Sequence, residues 1–552
     1  MSDLRSYANL TFKTKQAGFF NINSFANEDV LSVTTHKDIS SPMGNFTILL
    51  SPRVAKNLSI GRGTVYIKDV LTPFDLVLIQ FKTTGDYKSE MIGVISRATV
   101  TLTINPQDGK PVRALRIDGF DLGKVVQAFK LYFNPYVKTA SGREYGGQFY
   151  FGKDHQIFNS PGKTSSTVVQ FLTNFLNLVF NKITPQGPIF PLNFPGGLKL
   201  PNLVDFVSGL STVFSQHTMT NPFILLDLGV DKDIAITDIV KAYSDPPFHE
   251  TFFDLRRAKD QSNPQDIATA ESTHTLNVLP SETYGPPNPA DSTQQQPYVF
   301  TMRTTPFSQS NWNALNQCRF IQSDVIHQDT AQSEDNIFNY YMVYCEKETF
   351  VPGNIQASQL SYSTSQTNAP GNASRLPIMD NKALFVLNGQ IYPPSMSTYG
   401  IRRFPYTTTK YVEFIYALDG QKTSILQKQC ALARELFRWF SFGELFESGT
   451  ITLKGRVGIG YDGATMGSRL IEYSTSGSPT GKEYYIEGIM QEWILGQPLK
   501  TTLSVTRGHF PTKSFYLNGV QYPGRFYLVQ QQEKNLLLDQ QNNGRFFEDI
   551  PF

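Results

Sequence analysis

Residues 449–508 read GTITLKGRVGIGYDGATMGSRLIEYSTSGSPTGKEYYIEGIMQEWILGQPLKTTLSVTRG. Three runs have strand chemistry: TITL (450–453), EYYIE (483–487) and TTLSV (501–505). Each alternates polar with β-branched or aromatic residues, so one face can be buried while the other meets water. RLIEY (469–473) reads as a further strand. The links are rich in Gly, Ser and Pro, which supply turns and break helices. Gly455, Gly488 and Gly508 punctuate the stretch, and Tyr484, Tyr485 and Arg507 stand in its strands. Together these features predict an antiparallel, curved sheet of about five or six strands closed into a small barrel.

A second region of the same character lies near the start. GFFNIN (18–23), VLSVTT (30–35), NFTILL (45–50), DLVLIQF (75–81) and EMIGVI (90–95) are short strand patterns separated by turn signals. After them, RALRIDGFDLGKVVQAF (113–129) reads as a strand ending at Gly119, where a turn is expected, with Asp121 placed to cap a short helix.

Between the two β-regions the pattern changes. Residues 165–183 and 203–214 have apolar residues at helical spacing, and lack the basic polar face of a membrane-surface helix. Residues 258–296 and 346–378 are polar and read as exposed loops. Residues 421–446 form the longest helix candidate, with Leu426, Cys430, Leu436, Phe437 and Phe440 on its inner face. No internal repeat is visible in the sequence.

Composition narrows the function. A chain of 552 residues predicts three or four domains. Charged residues are 17% and aromatic residues 13%, a balance suited to a surface largely covered by neighbours in an assembly. The formal charge of +2 implies no global attraction to nucleic acid or anionic membrane. Cys318, Cys345 and Cys430 are isolated and odd in number, as free thiols of a reducing cytoplasm would be. The opening MSDLRSYANLTFKTKQ carries no secretory pattern, and no apolar run has the length of a membrane span.

Chemical motifs are weak. Gly458-x-Gly460-x-x-Gly463 fits a dinucleotide fingerprint by spelling, but it leads into a strand where a helix is needed. PGKTS (161–165) lacks the opening glycine of a phosphate loop. His249-Glu250 has Phe253 where a zinc-protease helix needs its second ligand. No cysteine-peptidase or lysozyme-like constellation can be picked out, so no catalytic, cofactor or metal residue is assigned.

Six motifs, in order, resemble the tail or baseplate hub proteins of long-tailed phages and phage-tail-like contractile injection systems. They are D-x-V-x-I-x-F from Asp75; IGVI with Gly93; I-x-G-x-D-L-G-K with Gly119 and Asp121; E-x-F-x-D-x-R with Glu250 and Asp254; R-x-x-P-F (Arg303, Pro306, Phe307) followed by Trp312; and the final GTITLKG, EYYIEGI and TTLSVTRG. YGIRRF, with Arg402, extends the match. The resemblance implies a mainly β (α+β) chain with two small antiparallel β-barrels and mixed α/β insertions. It divides the chain into a first barrel (1–130), a helix-containing insertion (131–235), a second barrel in two parts (236–310 and 447–510), a mixed insertion (311–446) and a C-terminal extension (511–552). It also implies a homotrimer whose six barrels form a ring and a channel for DNA or an effector. A sixfold tail tube protein would sit above, a threefold spike below and other baseplate or wedge proteins around, with no catalysis, cofactor or membrane insertion. A host-surface-binding or peptidoglycan-degrading tail-tip protein is the alternative.

Overall fold

A computed structural model describes most of residues 6–131, 246–255, 298–347, 398–413 and 435–531, with short strand segments at 234–235 and 384–387. The helices expected at 165–183 and 203–214, the loop at 258–296 and Leu426 and Cys430 lie outside the described residues, as does the Gly458–Gly463 motif.

Among the described residues the main sheet has thirteen strands. In chain order they are β1 (Tyr7–Thr14), β2 (Gly18–Asn23), β3 (Val30–Asp38), β4 (Asn45–Leu50), β5 (Leu76–Lys82), β6 (Lys88–Ile104) and β7 (Pro111–Asp121), then β8 (Gln317–Ile321), β9 (Val325–Gln332), β10 (Glu447–Lys454), β11 (Arg469–Tyr473), β12 (Pro479–Ile494) and β13 (Lys500–His509). Its order is β9-β10-β13-β12-β3-β4-β7-β6-β5-β1-β2, with β11 beside β12 and β8 beside β11. The strands expected at 450–453, 469–473, 483–487 and 501–505 fall in β10, β11, β12 and β13.

The alternation seen in sequence sorts the side chains. Along β3 and β4 every second residue is buried, and the inward set packs into one core with Phe12, Val33, Phe46, Ile48, Ile79, Met91 and Ile117. Ile451, Leu453, Leu470, Tyr484, Ile486, Leu503 and Val505 build a second core. Each large side chain taken from water in this way contributes about 1.5–3 kcal/mol before entropy is subtracted. The sheet therefore folds around two lobes.

Two expectations need correction. The described pairings form one open sheet, and none of them closes either lobe into a barrel; instead β12 pairs with β3 from Gly488↔Asp38 to Ile494↔Ser32, running the two β-regions together edge to edge. The antiparallel rule also has an exception, since β8 pairs with β11 in parallel. These strands are separated by over a hundred residues, so no hairpin constrains their direction.

Five strands of the lobes repeat one another. Taken in path order, β3-β4-β7-β6-β5 corresponds to β9-β10-β13-β12-β11, in the same sequence order, while β8 flanks β11 in parallel where β1 flanks β5 antiparallel. Two irregularities coincide as well, whereas the shifts at Glu447/Gly449 and Glu483/Tyr485 belong to the second lobe alone. β3 is bulged against β4 between Val30 and Ser32, as β9 is against β10 between Val325 and His327. β6 is bulged against β7 between Ile95 and Arg97, as β12 is against β13 between Ile486 and Gly488. Val94 and Tyr485 are the last residues of β6 and β12 to pair with β5 and β11. Bulges reset the register of a strand pair, so their coincidence aligns the lobes residue by residue.

Other elements pack on this frame. A hairpin of strands His249–Leu255 and Tyr298–Thr304 meets the second lobe through Phe252. Residues 435–440 form a helix, with Leu436 and Phe437 buried as expected and Trp439 buried as well. The C-terminal extension opens with a hairpin of strands Phe515–Leu517 and Val520–Tyr522. It leads into a helix at 525–531.

Candidate functional site

The polar and aromatic residues singled out in the sequence gather where the second lobe meets the 435–440 helix and the C-terminal helix. A helix leaves its last carbonyls without intrahelical partners. Here two arginines supply the donors. Arg507 Nη1 donates to the Trp439 carbonyl (2.6 Å), and Arg525 Nη2 donates to those of Arg438 (2.5 Å) and Trp439 (3.0 Å). Positive charge at a helix C-terminus also meets the negative end of its dipole. Phe442 and Arg507 both take left-handed backbone conformations, φ 59° and 55°; neither is glycine, so surrounding packing holds them there.

The guanidiniums are sandwiched by rings. Arg507 lies 3.8 Å from the centroid of Trp439, and Arg525 lies 4.7 Å from that of Phe446. Burial lowers the pKa of Arg507 to about 10 and that of Arg525 to about 9, so both remain charged at neutral pH. Burial raises the pKa of the Glu444 carboxyl, and raises Tyr341, which the charge of Glu444 pushes further. Burial, helped by Arg525, holds His509 well below the usual histidine range, so its imidazole is neutral. That ring is surrounded by Trp312, Phe446 and Phe526 at 5.3, 5.5 and 6.2 Å.

Several motif residues join this cluster. Trp312 is fully buried, and its indole N–H donates to Glu483 Oε2 at 2.7 Å, where Arg469 Nη1 also lies at 3.3 Å. Tyr485 donates its hydroxyl proton to Glu250 Oε2 at 2.5 Å. Phe307 packs edge-on to Trp439 at 5.9 Å, and Pro306 is buried beside it. Thus Glu250, Phe307, Trp312, Glu483, Tyr485 and Arg507, far apart in sequence, form one packed unit. Asp254 and Arg303 stand on the 249–255 and 298–304 hairpin, with Arg303 opposite Glu250.

The other motif residues lie elsewhere. Asp75 accepts from the Thr72 amide (2.6 Å) and hydroxyl (2.9 Å), clasping the turn before β5. Asp121 accepts from the Gly123 amide at 2.8 Å, the capping role expected of it, at the start of the helix Gly123–Ala128. Gly119 is not at a turn: it lies inside β7, and a Cβ there would sit 2.4 Å from Phe46 Cζ. A Cβ on Gly93 would sit 2.2 Å from Phe46 Cε1, so the two glycines make the slot for that ring. Arg402 is half exposed, 3.7 Å from Glu334, while its backbone is tied to Asn339. Gly455 has φ +76° at the turn after β10. Gly488 leaves room for Asp38, and Gly508 for the ring of Tyr484.

The sequence reading missed Arg525, His509, Arg469 and Glu444. Their one signal was a charged residue inside an aromatic run, as in GRFYLV (524–529). The cluster locks the C-terminal helix, the 435–440 helix and β13 together. Among the described residues, no group of three or more His, Cys, Asp or Glu could hold a metal ion, and no helix is long and apolar enough to cross a membrane.

No protein-family model and no curated protein matches the chain. Solved structures do. A tail protein from Neisseria meningitidis MC58 aligns over 91% of this chain and 96% of its own, at 10% identity and a TM-score of 0.38. The 43 kDa tail protein of prophage MuSo2 from Shewanella oneidensis aligns over 90% and 98%, at 7% identity and a TM-score of 0.39. The E. coli c3393 protein is a component of the type VI secretion system, described as similar in structure to the T4 bacteriophage tail proteins gp27 and gp5. It aligns over 90% and 76%, at 8% identity and a TM-score of 0.28.

Proposed function

We propose that this chain is a structural hub of a phage tail or of a tail-like injection system, and that it works without catalysis. Its three copies would form a ring of six lobes around a channel, joining a sixfold tube above to a threefold spike below, with each lobe rolled toward a barrel within the ring. The observation that carries this reading is the repeat of five strands in the two lobes. A chain with two equivalent lobes, already joined edge to edge through β3 and β12, offers six near-equivalent units in three copies. That is the symmetry match needed between a sixfold and a threefold partner. The later hub-like motifs support it, because Glu250, Phe307, Trp312, Tyr485 and Arg507 pack together against the second lobe. DNA or an effector protein would pass through the channel, and the particle would be assembled in the cytoplasm.

Native mass spectrometry of the purified chain tests the reading, with a trimer and ring-shaped particles in electron micrographs as the expected result. A chain that stays monomeric at every concentration and in isolated particles refutes it. A clearing zone on a peptidoglycan gel, abolished by one Glu, His or Cys substitution, would refute the non-catalytic part.

A further inference from the structure

One end of the first lobe's core is polar. Lys37 of β3 is on the inward set with Val33 and Thr35 and is 2% exposed. Its Nζ donates to the Glu90 carbonyl at 2.7 Å and lies 3.6 Å from Glu90 Oε1. Glu90 is the extra residue of a bulge in β6, since Ile79 pairs with Met91 and Gln80 with Ser89. A bulge re-aims a side chain, and Glu90 is 1% exposed although its neighbour Met91 already occupies the core. Asp121, the last residue of β7, is also 1% exposed. β4 runs between β3 and β7. Just ahead of β4 stands Gly44, and the point that a Cβ on it would occupy is 3.1 Å from both Lys37 Cγ and Asp121 Oδ2. The missing side chain leaves Lys37 and Asp121 flanking one gap.

An amine and two carboxyls thus meet in a dry core, carried by β3, β6 and β7. They are not part of the frame that the lobes share. Counted along the strands from the shared bulges, the second lobe has Gln332, Gly481 and Arg507 at these places, and it builds the same five-strand order without the trio. As a stabilising device a buried ion pair is poor, because its attraction seldom exceeds the cost of taking both charges out of water. Converting the amine and one carboxylate to an amide removes both charges and leaves two polar groups that the remaining carboxyl can bond.

We propose that Lys37 and Asp121 condense into an isopeptide bond, with Glu90 carrying the protons. The Lys37 ammonium gives up two protons in turn, and Glu90 passes each to Asp121 Oδ2. The nitrogen lone pair freed by the first forms the N–C bond to Asp121 Cγ. The Cγ–Oδ2 bond then breaks, and Oδ2 leaves with its bonding pair as water. One ammonium and one carboxylate become one amide and one water, and Glu90 ends as it began. Asp121 Oδ1 accepts from the Gly123 amide at 2.8 Å, which stabilises the negative charge that gathers on this oxygen during the attack. The bond ties β3 to β7 across β4, and β3 is the strand that carries the joint to β12. It does not depend on the hub reading. In a hub it would keep the first lobe's strands together under a load that separates an ion pair.

Intact mass spectrometry of the full chain, denatured and reduced, reads the bond directly. The wild type should be one water lighter than its sequence mass, and a proteolytic digest should yield a branched peptide joining residue 37 to residue 121. Lys37→Arg and Glu90→Gln should each restore the full sequence mass, with circular dichroism showing that they fold. Asp121→Asn keeps a side-chain oxygen for the Gly123 amide and should lose ammonia in place of water, a result that identifies the bond even if the other two variants misfold. A wild type at its full sequence mass overturns the proposal and leaves a buried ion pair. Water loss that persists in Lys37→Arg comes from a cyclic imide elsewhere in the chain and overturns it too. A branch at Glu90 in place of Asp121, or a cross-linked Glu90→Gln, overturns the roles given to the two carboxyls.

Discussion

Replacing Gly93 by alanine should destabilise the first lobe, and removing the Phe46 ring should abolish that effect. A methyl on Gly93 would lie 2.2, 2.7 and 2.9 Å from three atoms of Phe46, and these are its three nearest neighbours. Carbon atoms pack at about 3.5–4.0 Å, so the ring would have to move by more than an ångström. Phe46 is 1% exposed, so its ring cannot swing into solvent without leaving the core; overpacking of this kind costs about 1–3 kcal/mol. Phe46→Ala alone should cost about 3–5 kcal/mol through lost burial and a cavity. In the double variant the new methyl occupies part of that cavity, so G93A/F46A should be no less stable than F46A. Gly119→Ala is the contrasting case. Its added carbon meets the Val94 backbone oxygen at 2.3 Å as well as the ring, so Phe46→Ala should leave most of its cost in place. Hydrogen–deuterium exchange of peptides from β4, β6 and β7, with β10 and β13 peptides as internal controls, reads the effect locally. Additive losses for Gly93 and Phe46, or equal rescue of both glycines, would refute the packing argument.

Two further predictions concern the arginine cluster. Arg525→Met should destabilise the chain by about 1–3 kcal/mol, because the Arg438 carbonyl loses its arginine donor and the Trp439 carbonyl keeps only Arg507. Arg525→Lys should not restore stability, since an ammonium cannot reproduce the planar fork. Thermal unfolding checks both, and an unchanged midpoint in Arg525→Met would count against the cap. For His509, burial keeps the folded side chain neutral, while the unfolded one titrates near 6.5. As pH falls below 6.5 the unfolded chain takes up a proton that the folded chain refuses. Stability should therefore fall, by at most about 1.4 kcal/mol per pH unit, until the depressed folded pKa is reached. Above 6.5 the residue should contribute no slope. Glu444 and Glu487, raised by burial, act in the opposite sense, so the measurement is the difference between wild type and His509→Phe in urea midpoints across pH 5–7. Parallel profiles would refute the assignment.

The alternation in TITL, EYYIE and TTLSV determined strands with one buried face, because a period of two allows no other placement of those side chains. The capping role of Asp121 was also legible, since an acidic side chain two residues ahead of a glycine amide meets its partner locally. The hub-like motifs marked Glu250, Trp312 and Tyr485, but not that they meet one another, because no local pattern encodes a contact between residues over a hundred positions apart. The repeat stayed hidden for a packing reason. In the first lobe Phe46 fills the layer against Gly93 and Gly119; at the equivalent positions the second lobe has Gly449, Tyr484 and Val505, so the aromatic ring comes from the opposite strand. Each lobe keeps one aromatic ring in the layer while all three aligned residues change, which erases sequence similarity there. Likewise Val100, Leu102 and Ile104 read in sequence as an ordinary half-buried strand. Only the tertiary structure shows that the core ends before they do, because burial belongs to the position of a strand in the sheet and not to its alternation.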